Sequence, residues 1–191
     1  MSTEKDVVSL ALTSDETDIV LAMAARWDFP GRSNIRGQDE RAKMLATDAT
    51  VGMVGQYAAH KYHFGAAARE KFLVSRWHAN QHKFKSDGGY DIDALNVDVK
   101  SSLRRNNIPL MAYHLLVRPS ELYAGWNYWF AIVDIIEGHC PVVHLLGWAS
   151  DQMLPQRPAV DGTFKGAHVL PARQLNPFQA LRWDYFGRPA A

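Results

Sequence analysis

The hydrophobic pattern of the chain changes at the turn sequence Asp87-Gly88-Gly89, and this change constrains the fold more than any other feature. Before it, apolar side chains recur at helical spacing, as in the stripe from Ile19 to Trp27, which follows the capping residues Thr13 and Glu16. After it come three long apolar runs, at residues 110–117, 126–136 and 142–148. Their aromatic and β-branched content is typical of strands buried on both faces. Helices followed by strands predict an α/β chain with helices packed on one central sheet.

Shorter elements are predicted on both sides of that turn. The spacing of apolar and charged residues indicates further helices at residues 39–46, 50–64 and 66–79. Two short strands are predicted at residues 90–92 and 96–100, joined by the tight link Asp93-Ala94-Leu95. The C-terminal residues are expected to be mostly irregular and to wrap around the body of the protein.

The length of 191 residues suits a single domain. We divide it into an N-terminal helical extension at residues 1–49, a core at 50–150 and a C-terminal wrap at 151–191. The single cysteine, Cys140, excludes an internal disulfide and favours a reducing compartment. Asp134 and Glu137 interrupt the longest apolar stretch, so none reaches the ~20 residues of a membrane helix. The first residues lack the layout of a signal peptide, and we expect a cytoplasmic protein with no membrane partner.

The net charge of +1 hides an uneven distribution of charge along the chain. Residues 51–106 carry nine basic and five acidic side chains, a balance of +4 (9 − 5). Four of the five acids lie in one short segment, at Asp87, Asp91, Asp93 and Asp98. A cationic surface around a compact carboxylate cluster suits a metal ion together with a polyanion. A solvated face beside an acidic turn is the alternative.

The segment from Asp87 to Ser102 carries the most informative chemistry. Side chains two residues apart in a strand share a face, so Asp98 and Lys100 are expected to point the same way. A short hairpin would bring Asp91 beside Asp98, and the two carboxylates would offer hard oxygen ligands to a cation such as Mg²⁺, with the Val99 carbonyl as a further oxygen. Lys100 would position a water or contact a phosphate. These are the parts that phosphodiester hydrolysis requires.

Asp91, a short hairpin and then Asp98-Val99-Lys100 resemble the active-site motif of the PD-(D/E)XK nuclease superfamily. Upstream, Gly52-Met-Val-Gly55-Gln56 is similar to the helix pattern Gly-x-x-Gly-Glu of many members. Downstream, the sequence at 142–148 resembles the strand that closes the core in phage and bacterial members. The resemblance covers roughly residues 50–150.

The resemblance implies a restriction-endonuclease-like fold, in which a mixed central β-sheet is flanked by α-helices. It also implies a Mg²⁺-dependent endonuclease that cleaves DNA, with Mn²⁺ as a substitute and a homodimer as the assembly. Asp91, Asp98 and Val99 would bind the metal, Lys100 would assist the water and the transition state, and Gln56 would orient water or phosphate. The expected location is the cytoplasm of a bacterial or phage-infected cell.

Two positions depart from the family pattern. Tyr90 stands in place of the proline of the family name, which is a common change. Gln56 stands in place of the helix acid, so an amide would face the metal, and one metal ion becomes more favourable than two. This substitution supports a second hypothesis, a nuclease-fold protein that binds DNA with little or no turnover.

Basic residues interleaved with aromatic ones predict contacts to nucleic-acid backbone. The candidates are Arg69, Lys71, Arg76, Lys83, Lys85, Arg104 and Arg105. An amphipathic helix with its aromatics in the core and its charges solvated is the alternative, and the two interpretations are compatible.

Histidines at helical spacing suggest a third hypothesis, a zinc-dependent hydrolase. Its ligands would be His60, His63, His78 and His82. No cysteine lies near them, and stoichiometric zinc by elemental analysis is what this hypothesis predicts.

Overall fold

The computed structural model describes residues 4–25, 47–81, 91–92, 95–105, 107–136, 138–154 and 166–180. The predicted helix at 39–46 lies outside these residues. In chain order the elements are strand β1 (Val8–Ala11), helices α1 (Ser14–Ala24), α2 (Asp48–Phe64) and α3 (Ala68–Gln81), and strands β2 (Val97–Leu103), β3 (His114–Val117), β4 (Asn127–Asp134), β5 (Val142–Ser150) and β6 (His168–Pro171). No helix in the described part of the chain has the length and apolar character needed to span a membrane.

Local sequence signals set the ends of the first helices. Thr13 caps α1 through a hydrogen bond from the Glu16 amide to its hydroxyl (3.2 Å), and the Glu16 carboxylate accepts one from the Thr13 amide (2.7 Å). Gly65 ends α2 with a φ of 55°, a conformation that a glycine adopts without strain. The predicted helices at 50–64 and 66–79 are thereby confirmed.

The central sheet has the strand order β1-β5-β4-β2. The neighbours β1/β5 and β5/β4 are antiparallel, and β4/β2 are parallel, so the sheet is mixed. The predicted mixed α/β class is therefore confirmed, and the apolar runs at 126–136 and 142–148 form the central strands β4 and β5. Residues 8–11, within the segment predicted as a helical extension, supply the edge strand β1.

The prediction of a strand over residues 110–117 is wrong in two respects. Leu110–Ala112 form a 3₁₀ turn after Pro109, closed by a hydrogen bond from the Ala112 amide to the Pro109 carbonyl (2.9 Å). The remaining β3 pairs antiparallel with β6 in a separate two-stranded sheet. The predicted strand at 90–92 shows, within the described residues, a single bridge from Ile92 to Val97.

Two hydrophobic cores lie on opposite faces of the central sheet. The first core, on the helical face, includes Val20, Val54, Tyr57, Phe72, Val97, Val99, Trp129 and Val143. The second core, on the face covered by β3 and β6, includes Leu115, Tyr128, Phe130, Ile132, Leu170 and Leu175. Both faces of β4 are therefore buried, as its uninterrupted apolar sequence predicts.

Helix α2 approaches β2 unusually closely. A Cβ atom added at Gly55 would overlap the Ser101 hydroxyl and lie 3.3 Å from the Ala131 Cβ. Only a residue without a side chain fits between helix and sheet at this point. The Gly52–Gln56 segment singled out by the sequence is thus where α2 packs against the strand that carries Asp98 and Lys100.

Candidate active site

The start of β2 places Asp98 and Lys100 on one face of the sheet. Asp98 lies in register with Tyr128 and Lys100 with Phe130, two second-core residues of the parallel neighbour β4. The alternating residue Val99 points into the first core. The predicted shared face of Asp98 and Lys100 follows directly from this strand alternation.

Asp91 lies along the edge of β2 that faces away from β4. Its amide donates to the Val97 carbonyl (2.8 Å), and its buried carboxylate accepts a hydrogen bond from the Val99 amide (2.7 Å). Because the amide and the carbonyl of one strand residue point to the same side, the Val99 carbonyl also faces this edge. The structure thereby brings together the three predicted oxygen donors, Asp91, Asp98 and Val99.

The Lys100 ammonium lies between two carboxylates. Its Nζ is 2.9 Å from Asp98 Oδ2 and 3.0 Å from Glu121 Oε2. Burial opposes the charge on Lys100, but the attraction of Asp98 and the hydrogen bonds to both carboxylates outweigh it and raise the pKa of the ammonium. Lys100 is therefore protonated at neutral pH and acts as a fixed cation rather than as a base.

The Asp98 carboxyl has a raised pKa. Burial and repulsion from Asp91 raise its pKa to about 7, although the neighbouring Lys100 opposes this rise. Its ordinary value is 3.8. A carboxyl that resists ionisation next to a second buried acid is a group whose charge a bound cation would stabilise.

Glu121 belongs to this site but was not predicted from the sequence. It ends the 3₁₀ turn Pro119–Glu121. Burial disfavours its charge, yet the hydrogen bond from Lys100 and the attraction of Lys100 and Arg118 lower its pKa overall. In the sequence around Glu121, the only pattern is its i,i+3 spacing from Arg118. This spacing indicates a turn but does not predict a contact with Lys100.

Gln56 lies on a different side of β2 from the acid–lysine group. It follows Gly55 on α2, which packs on the face of β2 that carries Val99 and Ser101, so Gln56 and the Asp98–Lys100 pair lie on opposite faces of the strand. Its side chain is buried, and its Oε1 has no hydrogen-bond partner within the part of the chain that the structure describes. The structure thus brings together four site residues, Asp91, Asp98, Lys100 and Glu121, and leaves Gln56 outside that group.

The predicted nucleic-acid contacts are scattered. Arg69 and Lys71 are exposed on α3, while Phe72, the residue after Lys71, is buried in the first core, as the amphipathic-helix interpretation predicts. Lys83, Lys85 and the side chain of Arg76 lie outside the described residues. Arg105 is exposed, and Arg104 pairs with Asp134 (2.9 Å).

The histidines of the zinc hypothesis are core residues where the structure describes them. His60 and His63 are buried in α2, and His60 donates through Nδ1 to the Gln56 carbonyl (2.8 Å). The His78 side chain and His82 lie outside the described residues. Within residues that are described, no group of three or more His, Cys, Asp or Glu side chains is arranged to hold a metal ion.

No family model, curated protein or solved structure matches this chain.

Proposed function

We propose that the protein is a Mg²⁺-dependent nuclease of the PD-(D/E)XK type, with a restriction-endonuclease-like fold, that hydrolyses phosphodiester bonds within DNA. The observation that carries this proposal is that two carboxylates lie at the start of β2. Asp91 accepts a hydrogen bond from the Val99 amide at 2.7 Å, and Asp98, the residue before Val99, lies 2.9 Å from the Lys100 ammonium. Burial, together with repulsion from Asp91, raises the pKa of Asp98 to about 7. Such a pair is suited to a divalent cation and a phosphate.

The residues fit a magnesium ion. Mg²⁺ is usually bound by one or two carboxylates and keeps several waters, so the absence of a third acidic ligand from the described residues is compatible with it. Asp91 and Asp98 would hold the ion, with the Val99 carbonyl at the same strand edge. When bound, Mg²⁺ (or Mn²⁺) would polarise a phosphate oxygen and lower the pKa of a water.

Lys100 supplies the positive charge of the protein in this reaction. Asp98 and Glu121 hold its ammonium in place from two sides, and its raised pKa keeps it protonated. A fixed, desolvated cation stabilises the negative charge that builds on the phosphate in the transition state. Glu121 is in this account a positioning residue, because it acts on Lys100.

A homodimer, as the family resemblance implies, would carry two such active sites. Three parts of the proposal rest on the sequence resemblance: the homodimer, the DNA partner and a cytoplasmic location in a bacterial or phage-infected cell.

A cleavage assay tests the proposal. Plasmid, linear and single-stranded DNA are incubated with the protein in Mg²⁺, Mn²⁺ or EDTA. We expect cleavage with either cation and none in EDTA, and an Asp98→Ala variant should lose about 10²-fold or more of the rate because it loses a metal ligand. Asp134→Asn is the matched control, since Asp134 pairs with Arg104 at the other end of the strands. Undiminished Mg²⁺-dependent cleavage by Asp98→Ala would refute the assignment.

The position of Gln56 favours a second candidate, a DNA-binding protein of the same fold without turnover. Its amide replaces the family's acid, and its helix α2 packs on the other face of β2 from Asp98 and Lys100. Retarded migration of DNA in a native gel, without cleavage under any of the conditions above, would favour this candidate.

A further inference from the structure

The loop Arg118–Trp126, which we call the rim loop, is tied directly to the candidate active site. Tyr128, in register with Asp98, donates its hydroxyl proton to the Glu121 carbonyl (2.8 Å) and accepts a hydrogen bond from the Tyr123 amide (2.8 Å). In the same loop the Glu121 carboxylate contacts Lys100. The backbone of Tyr123 is therefore fixed relative to the reacting groups.

The far side of the rim loop is also held. The Trp126 amide donates to the Tyr123 carbonyl (3.3 Å), and the Gly125 amide donates to the Asp151 carboxylate (3.0 Å). The Tyr123 and Trp126 rings lie 4.4 Å apart with 36° between their planes. A ring held in this way loses little conformational entropy when a ligand stacks on it.

Tyr123 is an aromatic residue that this rigid loop leaves at the surface. It is 37% exposed, although Trp126 beside it is buried. Among the described side chains the other large exposed hydrophobics are Val74 and Ile136, which are aliphatic. An exposed aromatic ring beside a site for phosphate chemistry is suited to stacking on a nucleic-acid base.

A cation accompanies the ring. The Arg118 side chain is 75% exposed, and its contact with Glu121 is loose at 3.8 Å. An exposed guanidinium of this kind is available to a phosphate of the backbone. The rim loop thus presents a stacking surface and a phosphate contact, the two elements of single-strand recognition.

The reacting groups beside the rim loop are recessed from the surface. The side chains of Asp98 and Lys100 are 15% and 22% exposed, and Asp91 is buried. A base within a duplex has both of its faces covered by its neighbours, whereas an unpaired base can turn onto a protein ring. We propose that the rim loop selects unpaired strands, with Tyr123 stacking on a base next to the scissile phosphate and Arg118 contacting the backbone. In naming the substrate class, this inference rests on the proposed function.

Binding of labelled DNA tests the inference separately from cleavage. In an Asp98→Asn background, which prevents turnover, fluorescence anisotropy is measured with an oligothymidine of about 15 nucleotides and with a duplex of equal length. Tyr123→Ala should weaken single-strand binding by about 5- to 100-fold, and Tyr123→Phe, which keeps the ring, should stay within about twofold of the parent. Ile136→Ala is the control for loss of an exposed apolar side chain away from the loop.

Each outcome decides the inference. It is supported if Tyr123→Ala loses single-strand affinity, keeps duplex affinity and retains the circular dichroism of the parent. It is overturned if the parent does not bind oligothymidine, if Tyr123→Ala binds as the parent does, or if both kinds of DNA are affected equally. Lack of cleavage by the wild-type protein would refute the nuclease proposal alone, because these binding results would still stand.

Discussion

Each end of the parallel strand pair β2 and β4 carries an ion pair, but the two ends differ in the number of acids around the cation. At the end of the pair, Arg104 follows β2 and binds Asp134, the last residue of β4, at 2.9 Å. At the beginning, the Lys100 ammonium is shared by Asp98 and Glu121, while Asp91 adds a third carboxylate. The first ion pair has one acid for one cation, whereas the second group has three acids and one half-buried cation.

The end with Arg104 and Asp134, which we call the balanced end, joins the strands across the sheet. Arg104 also lies 3.2 Å from His144 Nε2 on β5. Because a guanidinium only donates, Nε2 is the acceptor and His144 carries its proton on Nδ1, which donates to the Ser9 hydroxyl of β1 (2.9 Å). Burial and the nearby Arg104 lower the pKa of His144, although Asp134 opposes this, so the ring is neutral. His144 therefore cannot act as a general base toward Ser9 in this arrangement.

The end with Asp91, Asp98, Lys100 and Glu121, which we call the acid-rich end, is arranged in a way that lowers the stability of the folded protein. Its acids repel one another, and the raised pKa of Asp98 measures this repulsion together with burial. Local conflicts of this kind are expected at functional sites rather than in structural ion pairs. The start of β2 is therefore the place to test for a cation.

The largest expected effect that separates the two ends is the pH dependence of stability in EDTA. The pKa of Asp98 is raised from 3.8 to about 7 by folding, so the folded state holds this proton more tightly than the unfolded chain. The resulting contribution to the free energy of unfolding is roughly 2–4 kcal/mol. It is fully present below about pH 4 and is lost as the pH rises to about 7.

Urea denaturation of the wild type and of Asp98→Asn, at several pH values between these limits, measures this dependence. The variant should match the wild type in acid and be the more stable protein at neutral pH. Asp134→Asn should still show the fall in stability between these pH limits, because it keeps Asp98. A difference between wild type and Asp98→Asn that does not vary with pH would show that Asp98 ionises normally.

The second effect is stabilisation by Mg²⁺. An ion that binds only the folded state at 100 times its dissociation constant adds about 2.7 kcal/mol, equivalent to a rise of about 5–10 °C in Tm for a chain of this size. Scanning calorimetry of the wild type and of Asp134→Asn should show this rise, and Asp98→Asn should not. An equal rise in all three would place the ion elsewhere.

Strand alternation was enough to predict the inner part of the candidate site. Asp98 and Lys100 share a face because they are two residues apart, and the hairpin links bring Asp91 to Val99. Glu121 could not be found in this way, since it meets Lys100 only through the packing of a turn that lies 21 residues further along the chain (121 − 100). Such contacts depend on tertiary structure, which local patterns do not encode.

The strands of the fold likewise divide into those that the local sequence predicts and those that it does not. Long apolar runs identified β4 and β5, whereas β1 has only four residues and becomes a strand by pairing with β5. The run at 110–117 is as apolar as a central strand, but Pro109 favours a turn, and the partner of β3 comes from the C-terminal segment predicted to be irregular. Short strands whose partners are distant in sequence are the ones that composition cannot predict.

The smallest expected effect concerns the balanced end. Asp134→Asn should lower the free energy of unfolding by about 1 kcal/mol at neutral pH, because a partly exposed ion pair with a charge-assisted hydrogen bond contributes little more than this. High salt should reduce the loss, since it screens the exposed part of the pair. The sign is opposite to that expected for Asp98→Asn in EDTA at the same pH, so the two variants measured by urea denaturation form a matched test. If both variants lost stability equally, the acid-rich end would be a structural ion pair like the other, and its claim to a metal ion would fail.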